Sequence, residues 1–212
     1  MSAGCCQETA KFDGASPAFK RALWAVIAIN GTMFALEMTA GALAGSQALQ
    51  ADALDFLGDT LTYGLSLYVI GMSVAARTNA AMLKGASLAG MGLWVFGATL
   101  YQVFVLETPR AEVMGAIGFL ALVANLVSVL ILLRFKDGDA NVRSVWLCSR
   151  NDAIGNVAVL LAAGAVWASG TAWPDLLVAA IMAGLFLWSA LQILRQSLHE
   201  RRHAAHAAVV SS

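Results

Sequence analysis

The sequence predicts an all-α membrane protein, a compact bundle of six transmembrane helices. Of its 212 residues, 59% are hydrophobic and only 12% are charged, and the mean hydropathy is +0.73. A soluble domain carries about 25% charged residues, and a spanning helix needs about 20 mostly apolar ones. Six runs of suitable length or nearly so contain no Asp, Glu, Lys or Arg, namely 22–36, 60–76, 85–106, 113–133, 153–174 and 176–194.

The first two and the last two helices of the chain are predicted to extend beyond these runs. The first helix continues through Glu37 to about residue 45, and the second begins near Gln47. The fifth begins before Asp152 and ends near Trp167, because Gly170 and Pro174 indicate a turn. The sixth then spans about 175–197.

The third and fourth helices correspond directly to the runs 85–106 and 113–133. We expect a tight cytoplasmic turn at 77-RTNAAMLKG-85, which would contain Lys84. A second turn is expected at 134-RFKDGDANVR-143, which holds a clear Gly/Asp break.

Basic residues predict the orientation. With six helices, 12 of the 13 Lys and Arg residues fall on the side of the two termini, and only Arg110 falls on the other. The positive-inside rule therefore places both termini in the cytoplasm, and we expect a bacterial inner membrane. The net charge of zero argues against nucleic-acid binding.

Three segments are expected. Residues 1–17 form a flexible cytoplasmic arm that contains Cys5 and Cys6, and it shows no cleaved signal peptide. Residues 18–198 form the transmembrane domain. Residues 199–212 form a short cytoplasmic tail, expected as a fraying helix extension, with three histidines at positions 199, 203 and 206.

Acidic residues at membrane depth are the candidate functional groups: Glu37, Asp52, Asp55, Asp59 and Asp152. Each costs roughly 2.5–3.5 kcal/mol at the centre of a membrane helix. Arg150 is the only basic residue expected inside the membrane, so ion pairing does not explain five acids. Cation binding or protonation would explain these five acidic residues.

Spacing groups four of the candidate ligands. Asp55 and Asp59 are four residues apart in 50-QADALDFLGD-59, and Cys148 and Asp152 are four apart in 147-LCSRNDAIGN-156. Residues four apart share one face of a helix, and equal depths in antiparallel helices would set the two pairs side by side. Four ligands suit a tetrahedral metal site, and a thiolate favours softer ions such as zinc or cadmium.

A structural role is the alternative interpretation for these acidic residues. The buried aspartates could hydrogen-bond across helices, and Asp52 lies near the predicted outer interface, as a supporting or a structural group. We expect Glu37 to be either a structural group or a proton relay. We expect Asn30 and Asn125 to form hydrogen bonds between helices.

Secondary metal binding is a further hypothesis for the two ends of the chain. Cys5 and Cys6 would be a docking point for soft metals or simply reduced thiols. The tail histidines, His199, His203 and His206, would bind metal weakly or remain a solvated tail.

Three segments together resemble the cation diffusion facilitators, a family of proton-coupled exporters of divalent metals. They are 46-SQALQADALDFLGD-59, 148-CSRNDAIGNVAVLLAA-163 and 173-WPDLLVAAIMAGLFLWSALQILRQSL-198. The resemblance implies that Asp55, Asp59, Cys148 and Asp152 are the transport ligands. Zinc-selective members often have His at the position of Asp55, and His is usual at that of Cys148.

The resemblance also implies that the chain is no enzyme and has no prosthetic group, with a divalent metal, zinc or cadmium first, and protons as substrates. Members usually have a cytoplasmic C-terminal domain, which this chain is expected to lack. A homodimer would then form through the transmembrane helices within the lipid bilayer. The competing functions are a passive cation channel and a membrane metal sensor or scaffold that transports nothing.

Overall fold

Six long α-helices make up nearly all of the described chain. The computed structural model describes residues 16–68, 74–105, 107–135 and 140–210. The helices are α1 (Pro17–Ala44), α2 (Gln47–Tyr68), α3 (Val74–Val105), α4 (Ala111–Leu132), α5 (Ala140–Ser169) and α6 (Trp173–Val210). One turn of 3-10 helix, Leu133–Phe135, extends α4. The predicted all-α class is confirmed.

Five of the helices are long and apolar enough to cross a membrane within the described residues. These candidate spans are Pro17–Ala44, Thr78–Val105, Ala111–Phe135, Asp152–Ser169 and Trp173–His199. The 22-residue α2 is not among them, and its three aspartates lower its hydropathy. The protein is therefore an integral membrane protein, and six spans remain a prediction that depends on α2.

Helix ends follow local sequence signals. Ser16 caps α1, because its side-chain oxygen accepts a hydrogen bond from the Phe19 amide at 3.1 Å. Gly45, with φ of 72°, ends the same helix in the left-handed conformation that glycine adopts without strain. Gly170, with φ of 64°, lies between α5 and α6, at the predicted turn.

Three connections meet at one end of the bundle. The Arg110 amide donates to the Ala44 carbonyl at 3.0 Å, and Thr108 donates to the Gly170 carbonyl at 3.3 Å. At the other end, the rings of Phe19 and Phe135 pack edge to face at 5.3 Å between centroids. The helices therefore alternate in direction, and α1 begins at the end where α6 finishes.

Helices α3 and α6 pack closely through glycines. A Cβ atom on Gly85 would come within 2.9 Å of Leu194, and one on Gly92 within 2.8 Å of Leu187. The two glycines are seven residues apart and so are their partners, in the reverse order. This register is that of two antiparallel helices in close contact along two turns.

The bundle exposes large apolar side chains and buries several polar ones between its helices. Large apolar side chains such as Trp24, Phe104 and Trp188 have more than half of their surface uncovered. Buried polar residues lie between the helices, including Asn30, Glu37, Asp52, Ser128, Asn125 and Asn156. Polar groups turned inward and apolar groups turned outward are the arrangement that a bilayer imposes.

One boundary prediction needs correction. The expected turn at 77–85 is wrong, because α3 begins at Val74 and these residues are helical. Ala, Met and Leu in this segment favour a helix, and Gly85 lies in the α3–α6 contact and does not end the helix. Helix α6 continues past the predicted transmembrane end near Ser197 as far as Val210, which is the expected helical extension.

Candidate functional site

A cavity of about 470 Å³ lies between α2, α3, α5 and α6, and acidic side chains line it. The charged residues at its wall are Asp55, Asp59, Lys84 and Asp152. Its remaining lining residues are Gly58, Thr62, Leu88, Gly155, Met182, Leu185, Phe186, Ser189, Gln192 and Ile193. The α3 residues lie in the first half of that helix, so the cavity extends toward the end of the bundle where α1 begins.

Equal depth brings the aspartates of α2 and α5 together. Asp59 is twelve residues after Gln47, the first residue of α2, and Asp152 is twelve residues after Ala140, the first residue of α5. At 1.5 Å per residue, each lies about 18 Å along its helix. The Asp152 carboxyl reaches both Asp55 and Asp59 within hydrogen-bonding range. Three of the four predicted ligands therefore line one cavity.

Two neutral side chains hold Asp59 in place. The Asn30 amide on α1 donates to an Asp59 oxygen at 3.4 Å, which is the interhelical contact expected of Asn30. Tyr63, which is 1% exposed, also hydrogen-bonds Asp59. Sequence reasoning missed Tyr63, although its position four residues after Asp59 puts both on one face of α2.

Lys84 is the main residue that the sequence analysis misplaced. It lies in α3 within the candidate span Thr78–Val105, lines the acidic cavity, and is close enough to Asp55 and Asp59 for its charge to act on both. Lys84 is therefore a second candidate, beside Arg150, for a basic residue inside the membrane. Burying a lysine within a membrane span is costly, and the neighbouring carboxylates offset part of this cost.

A second pair of carboxyl groups lies nearer the opposite end of the bundle. Glu37 on α1 is 0% exposed and Asp52 on α2 is 2% exposed, and their side chains are neighbours. Among the described residues, no hydrogen bond of normal geometry reaches either Glu37 oxygen. Asp52 is thus enclosed by protein, and its expected place near the outer interface stays a prediction.

The described side chains do not form a ready-made metal cluster. Within the part of the chain whose side chains are described, no group of three or more His, Cys, Asp and Glu residues is arranged to hold an ion. The side chain of Cys148 lies outside the described residues, as do Cys5, Cys6, His203 and His206. His199 is exposed on α6. The four-ligand set thus stays a prediction, and what the structure shows is that Asp55, Asp59 and Asp152 line one cavity.

The sequence did not predict the role of one further residue. Asp175, in the first turn of α6, accepts hydrogen bonds from the Gln47 amide at 2.8 Å and the Ala48 amide at 3.1 Å. It thereby caps α2 from another helix. Nothing in the local sequence signals a contact across 128 residues.

Fold and cavity together define a class: an integral membrane protein whose helices enclose a cavity lined by three carboxyl groups and one lysine. Comparison with known proteins narrows the class. Residues 23–200 match the family model of the cation efflux transmembrane domain. The chain belongs to the cation efflux family.

Characterised relatives are distant but similar over most of this chain. The metal cation efflux system protein CzcD of Cupriavidus metallidurans is 26% identical over 199 residues, which cover 84% of this chain and 60% of the relative. The cadmium, cobalt and zinc/H(+)-K(+) antiporter of Bacillus subtilis is 26% identical, with 82% and 60% covered.

The zinc transporter ZitB of Escherichia coli is 28% identical, with 85% of this chain and 62% of the relative covered. This chain therefore spans about 60% of the length of the relatives that it matches.

Proposed function

We propose that the protein exports divalent transition-metal cations, zinc or cadmium first, by exchange for protons. The observation that carries this proposal is the convergence of Asp55, Asp59 and Asp152 on one intramembrane cavity. The family of the chain and the names of its relatives support the same function, since those names specify zinc, cadmium and cobalt.

The proposed ligand set is completed by Cys148. The described backbone of α5 is helical from Ala140 to Ser169, so Cys148 lies about one turn before Asp152 on the same helix face. Three carboxylates and one thiolate give four anionic ligands for a divalent ion. The thiolate favours zinc and cadmium over harder ions such as magnesium or manganese.

The proposed transport cycle starts from the described cavity. The cavity extends toward the end of the bundle where α1 begins, and the distribution of Lys and Arg predicts that this end faces the cytoplasm. A cytoplasmic metal ion enters and binds the α2 and α5 ligands. A rocking movement then exposes the ion to the opposite side.

Coupling to protons follows from ligand chemistry. Carboxylates and a thiolate must lose their protons before they bind a metal ion. A metal ion that binds from the cytoplasm displaces protons, and protons that arrive from the outside displace the metal ion. A homodimer through the transmembrane helices remains part of the proposal and is independent of this coupling.

The decisive experiment is flux into liposomes that contain the purified protein and a pH-sensitive dye. The metals to compare are zinc, cadmium, cobalt, manganese and iron(II). We expect saturable zinc and cadmium transport with proton movement in the opposite direction. Asp59→Ala and Asp152→Ala should each abolish both movements, and the control Glu112→Ala, at an exposed position of α4, should keep them.

The alternative functions give different outcomes. A passive channel would show flux that neither saturates nor moves protons, because conduction requires weak sites. A sensor or scaffold would bind metal and transport none. Wild-type flux in both aspartate variants would reject the proposed site.

A further inference from the structure

Lys84 lines the acidic cavity from α3, whereas the four predicted ligands lie on α2 and α5. It also lines a neighbouring cavity of about 240 Å³, which Gly58, Thr62 and Leu88 border as well. Its side chain is partly covered by protein. A lysine stem carries its charge on a flexible chain, and the space on both sides of Lys84 allows the ammonium group to move relative to the carboxylates.

The charge of Lys84 has opposite effects on the empty and the loaded site. In the empty site, a positive charge stabilises carboxylates that membrane burial would otherwise penalise. In the loaded site, the same charge repels a divalent cation bound to those carboxylates. Since a carrier must both bind and release its ion, a positive charge tethered beside the ligands weakens binding and thereby favours release.

We propose that Lys84 is a tethered counter-cation of the transport site, which neutralises Asp55 and Asp59 when no metal is bound and withdraws when a metal ion enters. This inference rests on the proposed function and adds a positioning residue outside the ligand set. Lys84 lowers the affinity for the metal ion and speeds the return of the empty carrier.

The test removes the positive charge of Lys84 and keeps a long, flexible side chain at that position. Cd²⁺ binding to the purified full chain in detergent is measured by calorimetry for Lys84→Met, Lys84→Gln and Lys84→Arg. Both neutral variants should bind Cd²⁺ about five- to tenfold more tightly than wild type, whereas Lys84→Arg should remain within about twofold. Lys20→Gln, at an exposed position in α1, is the control for loss of a distant positive charge.

Transport separates a charge effect from a packing effect. In liposomes, Lys84→Met should lower both KM and kcat for Cd²⁺, because the metal ion binds more tightly and the empty carrier returns more slowly. A packing defect would lower kcat without lowering KM. Lys84→Arg should retain the wild-type values of both.

Two results would overturn the inference. One is a Cd²⁺ affinity in the neutral variants equal to that of wild type, and the other is a Lys84→Arg variant that behaves like Lys84→Met. Failure of the proposed function looks different. In that case wild type binds Cd²⁺ without transporting it, and the calorimetric comparison still decides the role of Lys84.

Discussion

Ser46 donates a hydrogen bond of 2.6 Å to Asp175, a residue 129 positions later in the chain. Both side chains are buried, with 0% and 1% of their surface exposed. The Ser46 hydroxyl in turn accepts from the Leu49 amide at 3.1 Å. Together with the two amides that Asp175 caps, this network fixes the first turn of α2 to the first turn of α6, at the end of the bundle opposite the cavity opening.

The first prediction concerns this network. Asp175→Ala should lower the free energy of unfolding by about 1–3 kcal/mol, because buried donors of Ser46, Gln47 and Ala48 lose their acceptor. Asp175→Asn should cost less, since it keeps one acceptor oxygen. Thermal unfolding in detergent, with hydrogen exchange at residues 46–49, measures both effects.

The control for the Asp175 variants is Glu112→Ala. Glu112 is also acidic and in the first turn of its helix, α4, but it is exposed, so its loss should change stability by less than about 0.5 kcal/mol. If Asp175→Ala matched this control in stability and exchange, the cap would have no energetic role.

The second prediction concerns the contact of α3 with α6. Gly92→Ala should destabilise the bundle by about 1–3 kcal/mol, because the new methyl group would meet Leu187 at 2.8 Å and its backbone nitrogen at 3.2 Å. Gly90→Ala, two residues earlier in the same helix, meets nothing within 4 Å. It should be neutral or gain up to about 1 kcal/mol from helix propensity.

Thermal unfolding of the two glycine variants side by side tests the packing. The close approach of α3 and α6 predicts opposite signs for the two changes in melting temperature. Equal shifts would mean that the two helices separate easily enough to accept a methyl group at position 92.

The third prediction concerns metal preference. Cys148→His should lower the affinity for cadmium relative to zinc by about tenfold, because imidazole is a harder ligand than thiolate. Competition calorimetry with the two metals measures the ratio. The matched control is the Cys5→Ser, Cys6→Ser double variant, which removes two thiols outside the proposed site and should keep the wild-type ratio.

An unchanged cadmium-to-zinc ratio in Cys148→His would remove Cys148 from the ligand set. The aspartate site would then consist of Asp55, Asp59 and Asp152 with a ligand still to be found. The register of α5 predicts a changed ratio, since Cys148 and Asp152 are one turn apart.

Much of the site could be predicted because its signals are local. The four-residue spacing of Asp55 and Asp59 fixes a shared helix face, and the same spacing relates Cys148 to Asp152. Counting residues from each helix start predicted the common depth of Asp59 and Asp152, and the starts at Gln47 and Ala140 agree with that count.

Other features depend on which helices become neighbours. Lys84 was assigned to a turn because a charged residue in an otherwise apolar sequence is typical of a loop, and only the continuous α3 moves it to the cavity. The pairing of Glu37 with Asp52 required α1 and α2 to pack at one particular rotation. Neither relationship has a signal in the residues that flank it.

The sequence by itself determined the helical class, the membrane setting and the faces that carry Asp55, Asp59 and Asp152. Composition and helical periodicity are properties of single segments, so they need no knowledge of neighbours. The tertiary structure alone decided that Lys84 faces Asp55 and Asp59 and that Asp175 caps α2. Those contacts arise from the packing of separate helices, and packing depends on the shapes of all six helices at once.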